Sequence, residues 1–180
     1  MKKQKRRLPS KKTKNGFSLI EILLYLAIFS FILISLTVLT GLIFQARARS
    51  RAISEVDYQG TRILNIISQK IRNSQSVSEP MRGNTSNILI FSLNGVNTQV
   101  YTKEVAGKKN IVVKEDAVEN TLNSGDIFLA DIINPLEFAN YSKQPSPDSI
   151  TISLTLKYDM FLGSGKYVYT KKFQNSASLR

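Results

Sequence analysis

Hydrophobic and polar residues are distributed very unevenly along this chain. Residues 17–44 form one apolar run of 28 residues in which Glu21 is the single formal charge. A helix needs roughly 20 apolar residues to cross a bilayer, so the run is long enough to span a membrane. The pattern therefore predicts a transmembrane helix over residues 17–44.

Helical periodicity continues beyond the apolar run. Apolar or small residues recur at helical spacing among mostly polar ones, at Ile53, Val56, Gly60, Ile63, Ile67 and Ile71. No proline interrupts the chain between Phe17 and Glu79. We therefore expect the same helix to continue to about Ser76, with residues 45–76 as an amphipathic half that packs one stripe against a head domain.

The remainder, residues 77–180, has the pattern of short strands separated by turns. The predicted strands are 88–93, 98–103, 110–114, 126–133, 150–158 and 167–173. Asn94-Gly95 is a hairpin turn signal, although a slightly longer loop is also compatible with it. A glycine-containing turn is expected at 161–165 and a surface loop at 140–148. The predicted fold class is α+β, a long N-terminal helix packed on an antiparallel β-sheet head.

Charge is as unevenly distributed as hydrophobicity. The formal net charge is +12, but residues 1–16 hold eight basic residues and no acid, which leaves 17 basic against 13 acidic residues after Gly16. A nucleic-acid-binding interpretation of the high pI therefore loses most of its support. Lys and Arg next to a span stay in the cytoplasm, so the basic leader predicts an extracytoplasmic head. Three arginines beyond the span, at 47, 49 and 51, are too few to reverse this orientation.

Composition restricts the possible chemistry. The chain contains no cysteine and no histidine, so disulfides, thiol nucleophiles, imidazole bases and the usual zinc ligand sets are excluded. Glu115-Asp116 is the only adjacent acidic pair of the head, and no EF-hand spacing surrounds it. Solvation is the favoured interpretation of this pair, as it is of Lys108-Lys109 and Lys171-Lys172. No catalytic residue, cofactor or metal ligand is predicted.

A basic leader before an apolar run is compatible with three interpretations of the N-terminus. A secretory signal peptide would be cut near Ala46-Arg47-Ala48, but the run is about twice the length of a signal h-region and has a carboxylate at its start. An uncleaved signal anchor would make the protein a membrane-anchored extracellular binding or adhesion protein. The third possibility depends on the residues from Gly16 to Glu21.

The sequence Gly16-Phe17-Ser18-Leu19-Ile20-Glu21, after a Lys-rich leader and before an uncharged span, resembles the class III signal of type IV prepilins and pseudopilins. The resemblance implies that prepilin peptidase cleaves between Gly16 and Phe17 and that the new Phe17 amine is N-methylated. It also implies that residues 1–16 are a discarded leader. The retained helix would form the core of a filament, with packing residues Leu19, Ile20, Ile22, Leu23 and Leu24.

Glu21 is the residue of this motif that needs a physical explanation. A carboxylate in an apolar helix costs about 2.5–3.5 kcal/mol at the bilayer centre and less near its edge. Cleavage after Gly16 would create a positive amine at Phe17, on the same helical face. In the family, a glutamate at this position is thought to neutralise the amine of a neighbouring subunit. The alternative is that Glu21 reaches the lipid headgroups. Tyr25 is expected to be a packing or interface residue.

Two further matches and one departure refine the resemblance. Ile71-Arg72-Asn73-Ser74 and Ser178-Leu179-Arg180 are similar to minor pilins and pseudopilins of the larger, J-like and W-like kinds. Many major pilins have a proline about twenty residues into the mature helix, whereas this chain has Val38 there and Gly41 as the nearest weak point. Melting of the helix during assembly is therefore left open.

The resemblance implies a structural subunit, a minor pilin or pseudopilin, of a type IV pilus, a competence pseudopilus or a type II secretion filament. Its implied partners are prepilin peptidase, other pilin subunits, the assembly platform of the cytoplasmic membrane and membrane lipids. DNA capture by a tip subunit rests only on a modest basic excess. Before assembly the chain would be a single-pass cytoplasmic membrane protein, and afterwards part of a cell-surface or periplasmic filament.

Overall fold

A computed structural model describes residues 18–162 and 165–179 of the chain. In these ranges one helix, α1 (Leu19–Arg72), is followed by ten strands. They are β1 (Ser76–Glu79), β2 (Thr85–Ser86), β3 (Leu89–Leu93), β4 (Val96–Val105), β5 (Lys108–Glu115), β6 (Val118–Thr121), β7 (Ile127–Leu129), β8 (Leu136–Asn140), β9 (Ser149–Leu162) and β10 (Gly165–Ser178). The chain divides into two compact parts, Met1–Phe44 and Gln45–Arg180.

The first half of α1 is apolar around its whole circumference. Its large side chains, from Leu19 to Phe44, are exposed on every face. The helix is unbroken at Val38 and Gly41, as the absence of proline allows. Among the described residues, this is the one helix long and apolar enough to cross a membrane.

The second half of α1 is amphipathic, as predicted. Its buried positions are Ala52, Val56, Gln59, Gly60, Ile63, Leu64, Ile67, Ser68 and Ile71. One predicted member of the stripe was wrong, since Ile53 is 37% exposed while the neighbouring Ala52 is 1% exposed. Ala52 lies four residues before Val56 and Ile53 lies three before it. Both spacings occur on one helical face, and in this helix the buried stripe continues through Ala52.

The helix ends at Arg72, earlier than the predicted Ser76. Asn73 N–H still donates to the Gln69 carbonyl at 3.1 Å, and Ser74 N–H bonds the Ile71 carbonyl at 3.1 Å in a tighter last turn. The Ser74 hydroxyl donates to the same Ile71 carbonyl at 2.7 Å. These bonds satisfy carbonyl groups that a helix end leaves open, and the chain enters β1 at Ser76.

The first sheet has the order β1-β3-β4-β5-β6, and all its pairs are antiparallel. The β3–β4 hairpin turns at Asn94-Gly95, both with positive φ (52° and 79°), which confirms the predicted turn as one of two residues. The β4–β5 hairpin turns in the same way at Ala106-Gly107 (53° and 73°). Ala106 adopts a left-handed conformation that alanine rarely visits, so this turn carries a weaker sequence signal.

The second sheet has the order β10-β9-β8-β2, and β7 also pairs with β9. The long β9 is shared by two short strands, with β8 against Ile150–Leu154 and β7 against Leu156–Tyr158. The predicted strand 126–133 was too long, because β7 is confined to Ile127–Leu129. The predicted turn at 161–165 was also too long, since β9 extends to Leu162 and β10 begins at Gly165.

Four short strands were not predicted, namely β1, β2, β6 and β8. β8 is the most buried of them, with Leu136 and Phe138 at 0% exposure. The other predicted strands exist, mostly with wider bounds. The predicted loop 140–148 begins one residue later than expected, because Asn140 ends β8 and is 1% exposed. Residues 141–148 are irregular, as predicted.

One hydrophobic core joins the second half of α1 to both sheets. It contains Ile63 and Ile67 from the helix, Phe91 from the first sheet and Phe138 from the second, all at 0% exposure. Gly60 allows the Phe173 ring of β10 to pack directly against the backbone of α1, since a Cβ at this position would overlap the ring. One long helix with antiparallel sheets is the predicted α+β arrangement, consistent with a pilin-like fold.

Candidate functional site

The candidate site is the start of α1, around Glu21. The helix begins at Leu19, and the Ser18 carbonyl accepts hydrogen bonds from the Glu21 N–H at 3.0 Å and the Ile22 N–H at 3.3 Å. Glu21 lies in the first turn, where the partial positive charge of the helix N-terminus stabilises a carboxylate. Gly16 and Phe17, the predicted cleavage and methylation positions, lie outside the described residues.

Tyr25 contacts Glu21 from the next turn. Its hydroxyl donates a hydrogen bond to Glu21 Oε1 at 3.3 Å, which is longer than usual for an O–H···O bond. Among the described residues, this is the one side-chain hydrogen bond that Glu21 receives. An ionised carboxylate has about four acceptor positions, so Glu21 retains capacity for a donor from another molecule. Tyr25 was predicted as an interface residue, and the hydrogen bond adds a polar contact to that expectation.

The predicted packing residues surround Glu21 on all sides. Leu19 and Ile20 are 77% and 74% exposed, and Ile22, Leu23 and Leu24 are each between 56% and 59% exposed. A continuous apolar surface of this kind on a protein marks an interaction with a membrane or another protein. The described residues place no other part of the chain against it, so the packing role stays a prediction.

Three of the four serine and threonine hydroxyl groups between residues 22 and 44 are satisfied within the helix. Ser30, Thr37 and Thr40 each donate to the carbonyl of the residue four positions earlier, at 2.8–2.9 Å. Such bonds remove the cost of an unpaired hydroxyl in an apolar environment. Glu21 is the one carboxylate of this half, and among the described residues Tyr25 is the one side chain that donates to it.

The head offers hydrogen-bonded charges rather than a reactive cluster. No group of His, Cys, Asp or Glu residues suited to a metal ion occurs in the described part of the chain. The prediction that Glu115 and the two lysine pairs are simply solvated was partly wrong. Glu115 forms an ion pair with Lys70 of α1, Lys171 pairs with Asp57 at 2.8 Å, and Lys108 donates to the Gly125 carbonyl at 3.1 Å. These contacts tie the helix and loops to the sheets.

An exposed polar network crosses the first sheet. The Tyr101 hydroxyl donates to Glu119 Oε1 at 2.9 Å, and Lys103 Nζ to Glu119 Oε2 at 2.5 Å. The hydrogen bonds from Lys103 and Tyr101 hold the pKa of Glu119 below its ordinary value. The bond with Glu119 raises the pKa of Lys103. This network joins β4 to β6 across the intervening β5 and has the geometry of structural pairing.

Sequence reasoning missed three buried amides, Gln59, Asn123 and Asn140, of which the first two connect separate segments. Gln59 of α1 is 5% exposed; its Nε2 donates to Glu55 at 2.9 Å, and its Oε1 accepts from the Ser124 N–H at 3.1 Å. Asn123 accepts from the Ile111 N–H at 2.8 Å and donates to the Ile127 carbonyl at 2.6 Å. Both link segments that are distant in sequence. The one sequence signal for such a contact was the position of Gln59, a polar residue on the otherwise apolar stripe of α1.

The residues that resemble J-like and W-like subunits have structural surroundings. Ile71 is part of the core at 0% exposure. Ser178 ends β10, and the Leu179 N–H donates to the Asp148 carbonyl at 2.9 Å. Arg180 lies outside the described residues. Packing accounts for Ile71 and Leu179, and neither lies with Glu21 at the candidate site.

Comparison with known proteins identifies a family motif at the start of the chain. Residues 11–37 match the family model described as the prokaryotic N-terminal methylation motif. This motif is the class III signal of type IV pilins, and it includes Gly16, Phe17, Glu21 and the start of α1. No curated protein and no solved structure matches the chain.

Proposed function

We propose that this chain, which carries the class III signal of type IV pilins, is a structural subunit of a pilin-type filament. The signal supports a type IV pilin-like protein, processed by prepilin peptidase and assembled with other pilins. The observation that carries the proposal is the continuity of this signal with α1. The motif leads directly into a helix that is exposed and apolar on all faces before it becomes the core helix of a folded head.

Cleavage between Gly16 and Phe17 would remove most of the chain's excess positive charge. The eight basic residues of the leader would be discarded, and the mature chain would begin at Phe17 with an amine available for N-methylation. The leader's charge supports a cytoplasmic N-terminus and an extracytoplasmic head before assembly. Leu19, Ile20, Ile22, Leu23 and Leu24 would contact lipid first and neighbouring subunits in the filament afterwards.

Glu21 is the proposed recognition group for assembly. Its carboxylate has a single, long hydrogen bond from Tyr25 and lies in an apolar surface where an unpaired charge is unfavourable. The Phe17 amine of a neighbouring subunit would supply the missing positive charge. Charge-assisted hydrogen bonds of this kind are roughly twice as strong as neutral ones, so the pair would favour the correct subunit register.

Within the pilin-like class, we favour a minor pilin or pseudopilin over an abundant shaft subunit. The support is the similarity of Ile71-Arg72-Asn73-Ser74 and Ser178-Leu179-Arg180 to the J-like and W-like kinds. The candidate systems are a type IV pilus, a competence pseudopilus and a type II secretion filament. In each, the chain would contact the membrane assembly platform before entering the filament.

Mass spectrometry of the N-terminus of the full-length protein from its native membrane tests the proposal. We expect a mature chain that begins at Phe17 and carries one methyl group on its amine. Gly16→Val should leave the uncut precursor in the membrane, whereas Asn15→Ala, next to the cut, should be processed. A wild-type chain that keeps residues 1–16 would instead identify a signal anchor, and the filament proposal would fail.

A further inference from the structure

The outer edge of β10 is a long, regular strand edge that no strand of the described residues covers. β10 lies at the end of the second sheet and pairs only with β9. Its register with β9 continues from Gly165 to Ser178 without a bulge. A free strand edge presents a row of unpaired N–H and C=O groups to which another chain can bind.

The hydrogen-bond pattern determines which groups face outward. The Thr155 N–H of β9 bonds the Pro135 carbonyl at 2.7 Å, on the side away from β10, and the Leu179 N–H bonds the Asp148 carbonyl at 2.9 Å. In an antiparallel pair, bonded and non-bonded residues alternate. Odd-numbered residues of β10 therefore bond to β9, and the backbone groups of residues 168, 170, 172, 174 and 176 point outward. Of these, the Ser176 N–H already donates to the neighbouring Asn175 Oδ1 at 2.9 Å.

Side chains of the odd-numbered residues anchor the strand from one face. Lys171 pairs with Asp57 at 2.8 Å, Asn175 Nδ2 donates to Ser68 Oγ at 3.1 Å, and Phe173 packs on Gly60. Even-numbered side chains are exposed from Val168 to Ser176. The edge is thus held in place by α1, while residues 168, 170, 172 and 174 are exposed and their outward backbone groups have no partner strand among the described residues.

Usual protections against strand pairing are largely missing from this edge. It has no proline and no bulge, and Lys172 is the one outward-facing charge between 168 and 176. The other sheet edges are poorer templates, because β1 has an interrupted register and β2, β6 and β7 have only two, four and three residues. Among the described strands, β10 is the edge best suited to accept a strand.

We propose that the outer edge of β10, from Val168 to Ser176, binds an extended strand of a different pilin-type subunit that has an acidic residue opposite Lys172. The inference rests on the proposed function, in which the chain assembles with other pilins. Main-chain hydrogen bonds would supply affinity, and the Lys172 ion pair would fix the register.

A second copy of this chain is a poorer occupant than a different subunit. Centred antiparallel pairing of two β10 edges would place Lys172 opposite Lys172, and like charges directly opposite are destabilising. Such pairing also needs a two-fold axis, whereas subunits of a polar filament meet through two different surfaces. The short edges of β1, β2 and β6 cannot match the length of β10.

Proline substitutions test the edge without removing bonds to β9. Thr170→Pro with Gln174→Pro deletes two outward donors, and prolines are tolerated where the N–H faces away from the sheet. The matched control is Thr170→Ala with Gln174→Ala. In cells with the native filament system, we expect roughly tenfold less filament-associated subunit for the proline pair than for the alanine pair. Equal amounts would overturn the proposal.

Photo-crosslinking identifies the partner independently of folding effects. A benzophenone amino acid at Gln174 of the full chain should crosslink, in cells, to a peptide of another subunit that carries a class III signal. The same group at Asn120 of β6 should not. Crosslinking to a second copy of this chain, to a protein without that signal or to nothing would overturn the inference.

Charge reversal at Lys172 is the third test. It remains informative if the double proline variant fails to fold. Lys172→Glu should lower incorporation, and a compensating acid-to-Lys change in the crosslinked peptide should restore it. Failure of restoration would contradict the ion pair. N-terminal processing distinguishes failure of this inference from failure of the proposed function. An uncut wild-type chain would refute the proposed function. A cut chain whose β10 edge is unoccupied would refute only the proposed strand pairing.

Discussion

The two halves of α1 show how one helix can serve two environments. From Leu19 to Phe44 every large side chain is exposed, while from Ala52 to Ile71 one stripe is buried. No other part of the described chain covers the apolar surface of the first half. The burial of that surface therefore depends on other molecules. The second half obtains its stability within the chain. A substitution should therefore affect assembly in the first half and folding in the second.

The largest expected effect is on assembly, at Glu21. Glu21→Val should be processed at the N-terminus yet enter filaments at least about tenfold less than wild type, because it removes the charge proposed to neutralise a neighbour's amine. Immunoblotting of sheared filaments against membrane fractions measures this. Tyr25→Phe, which removes only the hydroxyl, should have a smaller effect. Normal incorporation of the valine variant would eliminate the proposed charge role.

Matched isoleucine truncations test the difference between the halves directly. Ile67→Ala should lower the free energy of unfolding of the head by about 2–5 kcal/mol, because a fully buried side chain leaves a cavity. Ile34→Ala, at a position 65% exposed, should leave that quantity unchanged. Chemical denaturation of the detergent-solubilised chain provides the measurement. Similar losses from both variants would show that the halves do not differ in this way.

Two glycines give a smaller contrast of the same kind. Gly60→Ala should destabilise the head by about 1–3 kcal/mol, since the new Cβ overlaps the Phe173 ring. Gly41→Ala meets no atom within 4 Å and should leave head stability intact. Thermal unfolding distinguishes them. Adding Phe173→Leu to the Gly60 variant should recover part of the loss, and the absence of recovery would point to another cause.

The smallest expected effect is the pH dependence of the head. Because Lys103 and Tyr101 lower the pKa of Glu119 from its ordinary 4.5, the folded state favours the ionised carboxylate. This contribution is present above about pH 4.5 and is lost as the pH falls through the lowered pKa. Glu119→Gln should therefore make the melting temperature slightly less acid-sensitive between pH 5 and pH 3. An unchanged or steeper acid dependence would contradict this assignment.

Local signals were sufficient for several features of the fold. The apolar run and the lack of proline predicted one helix over residues 17–76, and α1 covers Leu19–Arg72 of that range. Asn94-Gly95 predicted its hairpin because both residues tolerate positive φ. Alternation predicted residues 150–158 of β9 and the central half of β10, residues 167–173. The motif from Gly16 to Glu21 predicted the methylation signal, and the match over 11–37 confirms the motif. Its residue roles remain proposals.

Other features depended on contacts between distant segments. The choice of Ala52 over Ile53 for burial, the short strand β8 and the Gln59 bridge to Ser124 follow from which surfaces meet. The lysines at 108 and 171 have local sequences typical of solvated residues, yet tertiary folding brings them partners. Short strands carry weak local preference, so pairing decides them.

By itself, the sequence determined the membrane-length helix, its basic leader and the motif at their junction. These are encoded by contiguous residues, and hydrophobic length and charge act locally. Only the tertiary structure decided that the outward backbone groups of β10 belong to its even-numbered residues. It likewise decided that the odd-numbered side chains of β10 contact α1. A one-residue change of register would exchange those faces, and register is fixed by β9, Gly60 and Asp57 together.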